Sequence, residues 1–371
     1  MKVGIITQHR VIHFGSVLQA YALQQALYRL NIDNEIIDYI YPNKAHLKVK
    51  KTPTIRSFIS RILRKILSFA IKRKETSEPN KIRQFISEKL KKSSRSFKSP
   101  TDLANNCPKY DIYLTGSDQV WNTDYLNGDT SFFFSFVYKP SKKVSYASSF
   151  GRFTFSGDEA KKWLSNLSDY ASVSVRERKA VEIINKYTGI HAVEVLDPTL
   201  LLNTDYWLKF AGIDKVNRKK FILVYILTYA WDPFPYAEEF VKYYEDLLGY
   251  EVLVIEPESI LERNPSWKYA NNPSPEDFVK LFAEASLVIT TSFHGLAFSI
   301  SLKTPFFVIT KDNNVNDDRI QSLLKNLSLS HRGIPVKSSF PEMSECDFSE
   351  AYIELESRRN NSITYLKENL K

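Results

Sequence analysis

The sequence predicts an α/β protein with two Rossmann-like domains and a cleft between them, and three observations lead to this. The chain has 371 residues, more than a single domain usually holds. Its start has the pattern of a buried strand at 2–7, a helix at 15–30 and a strand at 34–40. Such a βαβ unit favours a parallel sheet. The same alternation restarts near Asn203, which indicates a second domain.

The N-terminal half continues as strands that each end in a polar turn. The first helix has the apolar spacing of a helix packed on a sheet, at Val17, Leu18, Tyr21, Ala22, Leu27 and Leu30. Further strands are predicted at 110–115, 143–147, 171–175 and 192–196, with a helix after Arg176.

The C-terminal half repeats the alternation. Strands are predicted at 220–227, 250–255, 287–292 and 304–310, and helices at 236–248, 274–286, 294–302 and 319–327. Ser274 is the predicted N-cap of its helix, with Asp277 at the capping-box position. We place the two domains at 1–200 and 201–345, with a basic helical insertion at about 44–100. A last helix at 346–371 can pack on either domain.

Positive charge is concentrated in that insertion. The net charge is +9, yet residues 44–98 hold eighteen Lys and Arg against three acids. The helix predicted at 54–74 has an apolar face and a cationic face, which would suit an anionic membrane surface. The more common alternative is that its apolar face packs on its own domain. We expect no nucleic-acid binding, because aromatic residues there follow helical core spacing instead of forming a stacking platform.

Cysteine content and hydropathy indicate the compartment. Cys107 and Cys346 are the only cysteines, so neither a disulfide scaffold nor a cysteine metal site is expected. The N-terminus lacks the apolar length of a secretory signal, and no apolar run is long enough to span a bilayer. We expect a cytoplasmic protein, with peripheral attachment at the inner face of the cell membrane as the one membrane association to test.

The segment "ITTSFHGLAFSI" places an ionisable ring where a strand becomes a helix. Ligands of open α/β sheets bind at the carboxyl ends of strands, so His294 is expected at the cleft rim. The helix N-terminus offers free N–H groups to an anion, and Gly295 permits close backbone approach. This pattern favours an acid/base or anion-binding histidine over a histidine packed beside Phe293.

Other strand ends also carry polar candidates. Arg176 follows a strand and can fork onto a carboxylate or phosphate, or can pair with Glu177 or another nearby acid. Ser117, Asp118 and Gln119 precede Trp121, a grouping that suits a sugar or a hydrogen-bonded turn on a core tryptophan. There is no G-x-G-x-x-G sequence, so a dinucleotide site is not indicated.

Together these motifs resemble the polysaccharide pyruvyl transferase family over most of the chain. The resemblance is carried in order by "GSVLQAYALQQAL", "LTGSDQVWN", "YASSFG", "VSVRE", "LDPTLLL" and "PSPEDF…ITTSFHGLAFSISLKTPFFV". It implies a GT-B-like arrangement of the two domains. It also implies transfer of pyruvate from phosphoenolpyruvate to a sugar as a ketal, with release of phosphate.

The resemblance also assigns roles. His294 matches the family's catalytic histidine and Arg176 an anion-binding arginine, while Ser292 stands where some members have arginine; Arg319 is our candidate replacement. We assign phosphoenolpyruvate binding to Arg176, Ser292, Phe293, Gly295 and Arg319, and catalysis to His294 and Asp118. Acceptor binding is assigned to Gly15, Ser16, Gln19, Ser117, Gln119, Trp121 and Ser149.

The expected function is pyruvate transfer to a galactose-like hexose of a cell-surface polysaccharide precursor, in capsule or exopolysaccharide synthesis. The acceptor could be lipid-linked. Phosphoenolpyruvate is the donor substrate, and neither a metal nor a cofactor is expected. The alternatives are a nucleotide-sugar-dependent glycosyltransferase of the same architecture and a glycan-binding protein without activity.

Overall fold

A computed structural model describes residues 1–40, 80–126, 128–138, 141–151, 153, 155–228, 231–255, 264–311 and 318–371. The strands are β1 Lys2–Ile6, β2 Asp33–Tyr39, β3 Lys92–Phe97, β4 Ile112–Thr115, β5 Lys142–Ser145, β6 Tyr170–Val175, β7 Ala192–Glu194, β8 Lys219–Tyr225, β9 Glu251–Val254, β10 Lys268–Tyr269, β11 Ala285–Thr290, β12 Phe306–Thr310 and β13 Gly333–Pro335. The helix predicted at 54–74 lies outside the described residues.

The helices alternate with these strands along the chain. They are α1 Phe14–Arg29, α2 Lys81–Lys89, α3 Pro100–Asn106, α4 Thr123–Leu126, α5 Gly157–Leu164, α6 Arg178–Thr188, α7 Thr204–Phe210, α8 Tyr236–Leu248, α9 Pro275–Glu284, α10 Phe293–Ser301, α11 Asp318–Asn326 and α12 Ser349–Asn369. Helix α9 has the predicted capping box, in which Ser274 and Asp277 satisfy each other's backbone N–H groups.

Two parallel sheets organise the molecule. The N-terminal sheet has seven strands in the order β3-β2-β1-β4-β5-β6-β7, and the C-terminal sheet has six in the order β10-β9-β8-β11-β12-β13. The strand order reverses between β1 and β4 in the first sheet and between β8 and β11 in the second. These reversals are the positions where doubly wound sheets open a crevice.

The domains share a hydrophobic core. Residues of both sheets and of the helices between them form one buried cluster, in which Phe14 of α1 stacks on Phe278 of α9 with ring centroids 4.6 Å apart. Helix α12 joins both domains, since Tyr365 Oη donates to Ser145 O at 3.0 Å and Tyr352 Oη donates to Ile300 O at 2.8 Å. The helix predicted at the C-terminus therefore contacts both domains.

The region predicted as a helical insertion needs correction in its last part. Residues 81–97 form α2 and β3, and β3 pairs in parallel with β2 at the edge of the N-terminal sheet. Sequence patterning missed this strand because only Ser93 and Phe97 are buried within "KSSRSF". An edge strand needs little apolar surface, so its pattern resembles a polar loop.

Candidate active site

The candidate site lies where the two switch points face each other. The carboxyl ends of β1 and β4 lead to Ser16 and Asp118, and those of β8 and β11 lead to Tyr225 and His294. His13, which precedes α1, reaches across the interface, with its Nε2 3.0 Å from Tyr225 Oη. The two domains therefore bring residues from distant parts of the chain into one cluster.

His294 is the second residue of α10 and lies directly against the N-terminal domain. Ser292 is the N-cap of this helix, and its Oγ accepts the Gly295 N–H at 3.4 Å. A Cβ atom on Gly15 would lie 2.0 Å from His294 Nδ1, so only glycine allows this approach. The prediction of a ring at the cleft rim needs correction, because the His294 side chain is only 6% exposed.

Burial favours the neutral form of the His294 ring, and one of its nitrogens is uncommitted among the described residues. Its Nε2 is buried, has no hydrogen-bond partner among the described residues and lies 3.8 Å from Asp197 Oδ2, too far for a hydrogen bond. Burial is the main cause that lowers its pKa below 6.5; Asp197 and Asp118 oppose this effect. A neutral imidazole with a free nitrogen can take up a proton once an anion lies nearby.

Arg176 joins two carboxylates instead of facing an open cleft. Its Nη1 donates to Asp197 Oδ2 at 2.6 Å and its Nη2 to Asp118 Oδ1 at 3.0 Å. The side chain is 1% exposed, and its Nε is buried without a partner. The predicted fork onto a ligand is therefore wrong for the Nη atoms, because the chain's own acids already occupy them. Arg176 positions Asp118 and Asp197.

Asp118 is poorly suited to act as a base. Its Oδ2 accepts the Ser16 hydroxyl at 2.9 Å, and its Oδ1 accepts Arg176. Burial raises its pKa, but the Arg176 guanidinium outweighs burial and holds this pKa well below the usual range. A carboxylate of such low basicity removes protons weakly. The bonds to Ser16 and Arg176 favour a positioning role for Asp118, whose catalytic role stays a prediction. Its φ of 73° reflects the tight turn that presents it.

Phe293 lies close to two arginines beside His294. The Arg176 guanidinium carbon lies 4.8 Å from its ring centroid, and that of Arg319 lies 5.9 Å away on a half-buried side chain. Both distances allow cation–π contact. The structure thus places Arg319, at the start of α11, within the site where Ser292 offers no charge.

Glu177 is a buried carboxyl next to Arg176. Its Oε1 accepts the Ser149 hydroxyl and the Phe150 N–H, both at 2.9 Å, while its Oε2 is buried without a partner. Burial raises its pKa to about 7, against the opposing charges of Arg176 and Arg319. Near neutral pH this carboxyl is therefore partly protonated.

Most residues predicted to bind the acceptor are buried supports. Trp121 is fully buried, stacks on Phe133 at 5.2 Å and donates its Nε1 to Phe132 O at 3.3 Å, so its predicted contact with a sugar is wrong. The indole of Trp121 is buried because it packs against other apolar side chains, among them Phe133. Hydrogen bonds within the chain engage Ser117, Ser149 and Gln119 Oε1, and also Gln19 Nε2, whereas Gln19 Oε1 is buried without a partner among the described residues.

Three residues of the cluster were missed from sequence. Asp197 accepts Arg176 and the backbone N–H of Thr199, yet "LDP" looked only like a turn. His13 and Tyr225 form their contact across 212 positions of sequence, which no local pattern reveals. An aspartate placed directly after a predicted strand is the one signal that could have identified Asp197.

The described part of the chain holds neither a cluster of metal ligands nor a helix that could span a membrane. No group of three or more potential His, Cys, Asp or Glu ligands is arranged to hold a metal ion among the residues that the structure describes. None of the described helices combines the length and the apolar character needed to cross a bilayer.

Comparison with known proteins identifies the family. Residues 13–313 match the family model described as polysaccharide pyruvyl transferase, which covers most of the chain. The chain belongs to the polysaccharide pyruvyl transferase family. As a member it is a transferase that carries a pyruvyl group to a polysaccharide or sugar substrate. Among curated proteins, none is significantly similar in sequence.

Solved structures confirm the GT-B-like arrangement predicted for this pyruvyl transferase. UDP-GlcNAc 2-epimerase from Methanocaldococcus jannaschii is 13% identical over 98% of this chain and 93% of its own, with a TM-score of 0.51. The enzyme from Neisseria meningitidis is 10% identical over 100% and 94%, with a TM-score of 0.51. At such identities the likeness concerns the fold alone.

Replacing Gly15 by alanine is expected to displace the ring of His294 in this pyruvyl transferase. The added Cβ would lie 2.0 Å from His294 Nδ1. We expect kcat/KM to fall by about 10²-fold and the free energy of unfolding by about 1–3 kcal/mol. Truncating His294 to alanine in the same chain should relieve that destabilisation, measured by urea unfolding. Strictly additive effects would contradict the contact.

Glu177 should make stability depend on pH. Its folded pKa of about 7 lies above the ordinary value of 4.5, so the folded state holds the extra proton between these values. The contribution of Glu177 to the free energy of unfolding is therefore lost as pH rises from about 4.5 to 7, and the loss is on the order of 3 kcal/mol in total. Glu177→Gln should remove this loss in urea unfolding at several pH values. The exposed Glu182→Gln is the matched control, and equal pH profiles for both variants would refute the assignment.

Proposed function

We propose that the chain transfers pyruvate from phosphoenolpyruvate to two hydroxyl groups of a hexose in a cell-surface polysaccharide precursor, forming a ketal and releasing phosphate. The observation that supports this most directly is His294, a neutral histidine with an unpartnered Nε2 at the facing strand ends of the two domains. The family to which the chain belongs supports the transfer of a pyruvyl group. The identities of the donor and the acceptor are part of the proposal.

The donor would bind beside Phe293. Phosphoenolpyruvate carries a carboxylate and a phosphate, which need cations or free N–H groups. Arg319 and the N-terminus of α10 lie on the C-terminal side, and on the other side lies the Nε of Arg176, which is buried without a partner among the described residues. The Nη atoms of Arg176 are bound to Asp118 and Asp197. In this proposal Arg319, beside Phe293, is the donor-binding cation on the C-terminal side.

The reaction needs one group that moves a proton. A proton is added to C3 of phosphoenolpyruvate, and a sugar hydroxyl attacks C2 to form the first C–O bond. A second hydroxyl then attacks C2 as the C2–O bond to phosphate breaks. One hydroxyl proton replaces the proton consumed at C3, and the other leaves with phosphate. His294 can supply and recover that proton, because the bound phosphate favours its charged form.

The acceptor would approach from the N-terminal domain. Ser16, at the start of α1, lies on the face of the cluster that carries Asp118 and Gly15. A galactose-like hexose is proposed because a ketal bridge needs two neighbouring hydroxyl groups. The buried side chains of Gln19, Ser117, Gln119 and Ser149 would hold this surface in shape without touching the sugar.

A thermal-shift titration tests the donor. Phosphoenolpyruvate that binds the folded chain must raise Tm, and UDP, GDP and CMP serve as parallel ligands. We expect a shift with phosphoenolpyruvate that is reduced in Arg319→Gln and kept in Arg83→Gln, an exposed arginine on α2. A shift with a nucleotide alone would instead favour a nucleotide-sugar glycosyltransferase. No shift with any ligand would contradict donor binding by the free chain.

Peripheral membrane binding is proposed from the sequence of residues 54–74 alone. A lipid-linked acceptor would give their basic face a purpose. Replacing Arg61, Arg64 and Lys65 by glutamine is expected to weaken binding to anionic liposomes by about 1 kcal/mol per charge, measured by vesicle sedimentation. Unchanged binding would contradict membrane attachment through this segment.

A further inference from the structure

A cavity lies along the domain interface and is lined by helices α6 and α11, whose first residues follow the transfer site. Its volume is about 850 Å³, and its walls are α6 and β7 of the N-terminal domain, α11 of the C-terminal domain, and Arg358 of α12. Helix α6 begins two residues after Arg176, and Arg319 is the second residue of α11. We call this cavity the interface groove. It has room for a ligand of several sugar-sized units.

The interface groove is rich in unused hydrogen-bond donors and cations. Lys325 has no ion-pair or hydrogen-bond partner within the described ranges of the chain. Among the described residues, Arg358 donates only its Nε, to Glu354 at 2.6 Å, and its two Nη groups can face a ligand. Arg178 lies 4.0 Å from Glu182, and this pair is so exposed that it contributes little.

Hydrogen-bond acceptors are fewer than donors in the interface groove, and some of them already have partners within the chain. The one carboxylate among the residues that line it is Glu194, and its Oε1 already accepts the Asn326 amide at 2.9 Å. Asn185 Oδ1 accepts the Ala192 N–H at 3.3 Å, and its amide nitrogen has no partner in the part of the chain that the structure describes. A surface with a surplus of donors and cations matches a ligand that offers anionic oxygens.

We propose that the interface groove binds anionic groups of the glycan substrate, phosphate or carboxylate, next to the sugar that receives pyruvate. This rests on the proposed function for the nature of the ligand. In this proposal the groove continues from the transfer site along α6 and α11, because Arg176 lies two residues before α6 and Arg319 lies in the first turn of α11, and both helices line the groove. The acceptor would therefore be recognised by its charge as well as by its hexose.

Calorimetric titration of the full chain tests the interface groove without turnover. The probes are tetragalacturonate for carboxylate, inorganic pyrophosphate for phosphate, and neutral galactotetraose as the uncharged counterpart. The variant is Lys325→Gln with Arg358→Gln. Its matched control is Lys186→Gln with Lys367→Gln, which removes two exposed charges from α6 and α12 outside the groove.

We expect at least one anionic probe to bind, and to bind about tenfold more weakly to the groove variant but unchanged to the control variant. Binding of tetragalacturonate identifies carboxylate as the source of charge, and binding of pyrophosphate alone identifies phosphate. Equal binding of galactotetraose, equal losses in both variants, or no binding of either anion would overturn the proposal. If anions bind through Lys325 and Arg358 but the enzyme fails to use phosphoenolpyruvate, the proposed function fails and the groove assignment stands.

Discussion

Replacing His294 by glutamine is expected to lower kcat/KM for pyruvyl transfer by a factor of about 10²–10⁴, the usual contribution of a positioned acid/base group. Glutamine keeps the size and polarity of the side chain but cannot carry a proton between C3 and a hydroxyl. The free energy of unfolding should change little, because the buried Nε2 makes no hydrogen bond to lose. Steady-state phosphate release measures the rate.

The pH profile makes the His294 test specific. Burial lowers the pKa of His294, and bound anion should raise it, so the limb of the profile assigned to this group should disappear in the variant. The exposed His331→Gln is the matched control and should keep wild-type rates. A His294→Gln enzyme with full activity and an unchanged profile would eliminate His294 as the acid/base group.

Replacing Arg176 by methionine is expected to destabilise the fold by about 3–5 kcal/mol, because it leaves two buried carboxylates without their shared cation. Asp118 and Asp197 are 7% and 0% exposed, and both accept a guanidinium nitrogen. Urea unfolding measures the change. The exposed Arg178→Met, two residues later, should change stability by less than about 1 kcal/mol.

A second substitution separates lost charge balance from lost packing. Adding Asp118→Asn to Arg176→Met removes one uncompensated charge, so the double variant should be more stable than Arg176→Met alone. Its stability should also vary less between pH 4 and pH 7, since fewer buried carboxylates must be protonated (about pH 4 being the ordinary carboxyl range). A double variant less stable than both single variants would indicate that packing around Asp118 matters more than charge.

Local patterns predicted the parts of this protein that neighbouring residues determine. The alternation of apolar strands and amphipathic helices predicted most of both sheets, because hydrophobic periodicity is a property of short segments. The capping box at Ser274 and the strand-to-helix junction at His294 were predicted for the same reason, since a cap and its partner lie three residues apart.

Side-chain partnerships across the sheets were not predictable in this way. Arg176 at the end of a strand was recognised as a candidate cation, but its two partners lie 21 and 58 positions away. Trp121 looked like a sugar platform because burial depends on what packs above it, here Phe133 and Phe150. Strand β3 was overlooked because its role as an edge strand comes from pairing with β2.

The sequence by itself determined a two-domain α/β chain, its family and the positions where polar groups leave the strands. Only the tertiary structure decided which of those groups are free to act. It buried Arg176 between Asp118 and Asp197 and placed Arg319 beside Phe293, with His294 against Gly15. The physical reason is that a side chain's charge, basicity and reach depend on desolvation and on partners brought close by folding, and neither is encoded in adjacent residues.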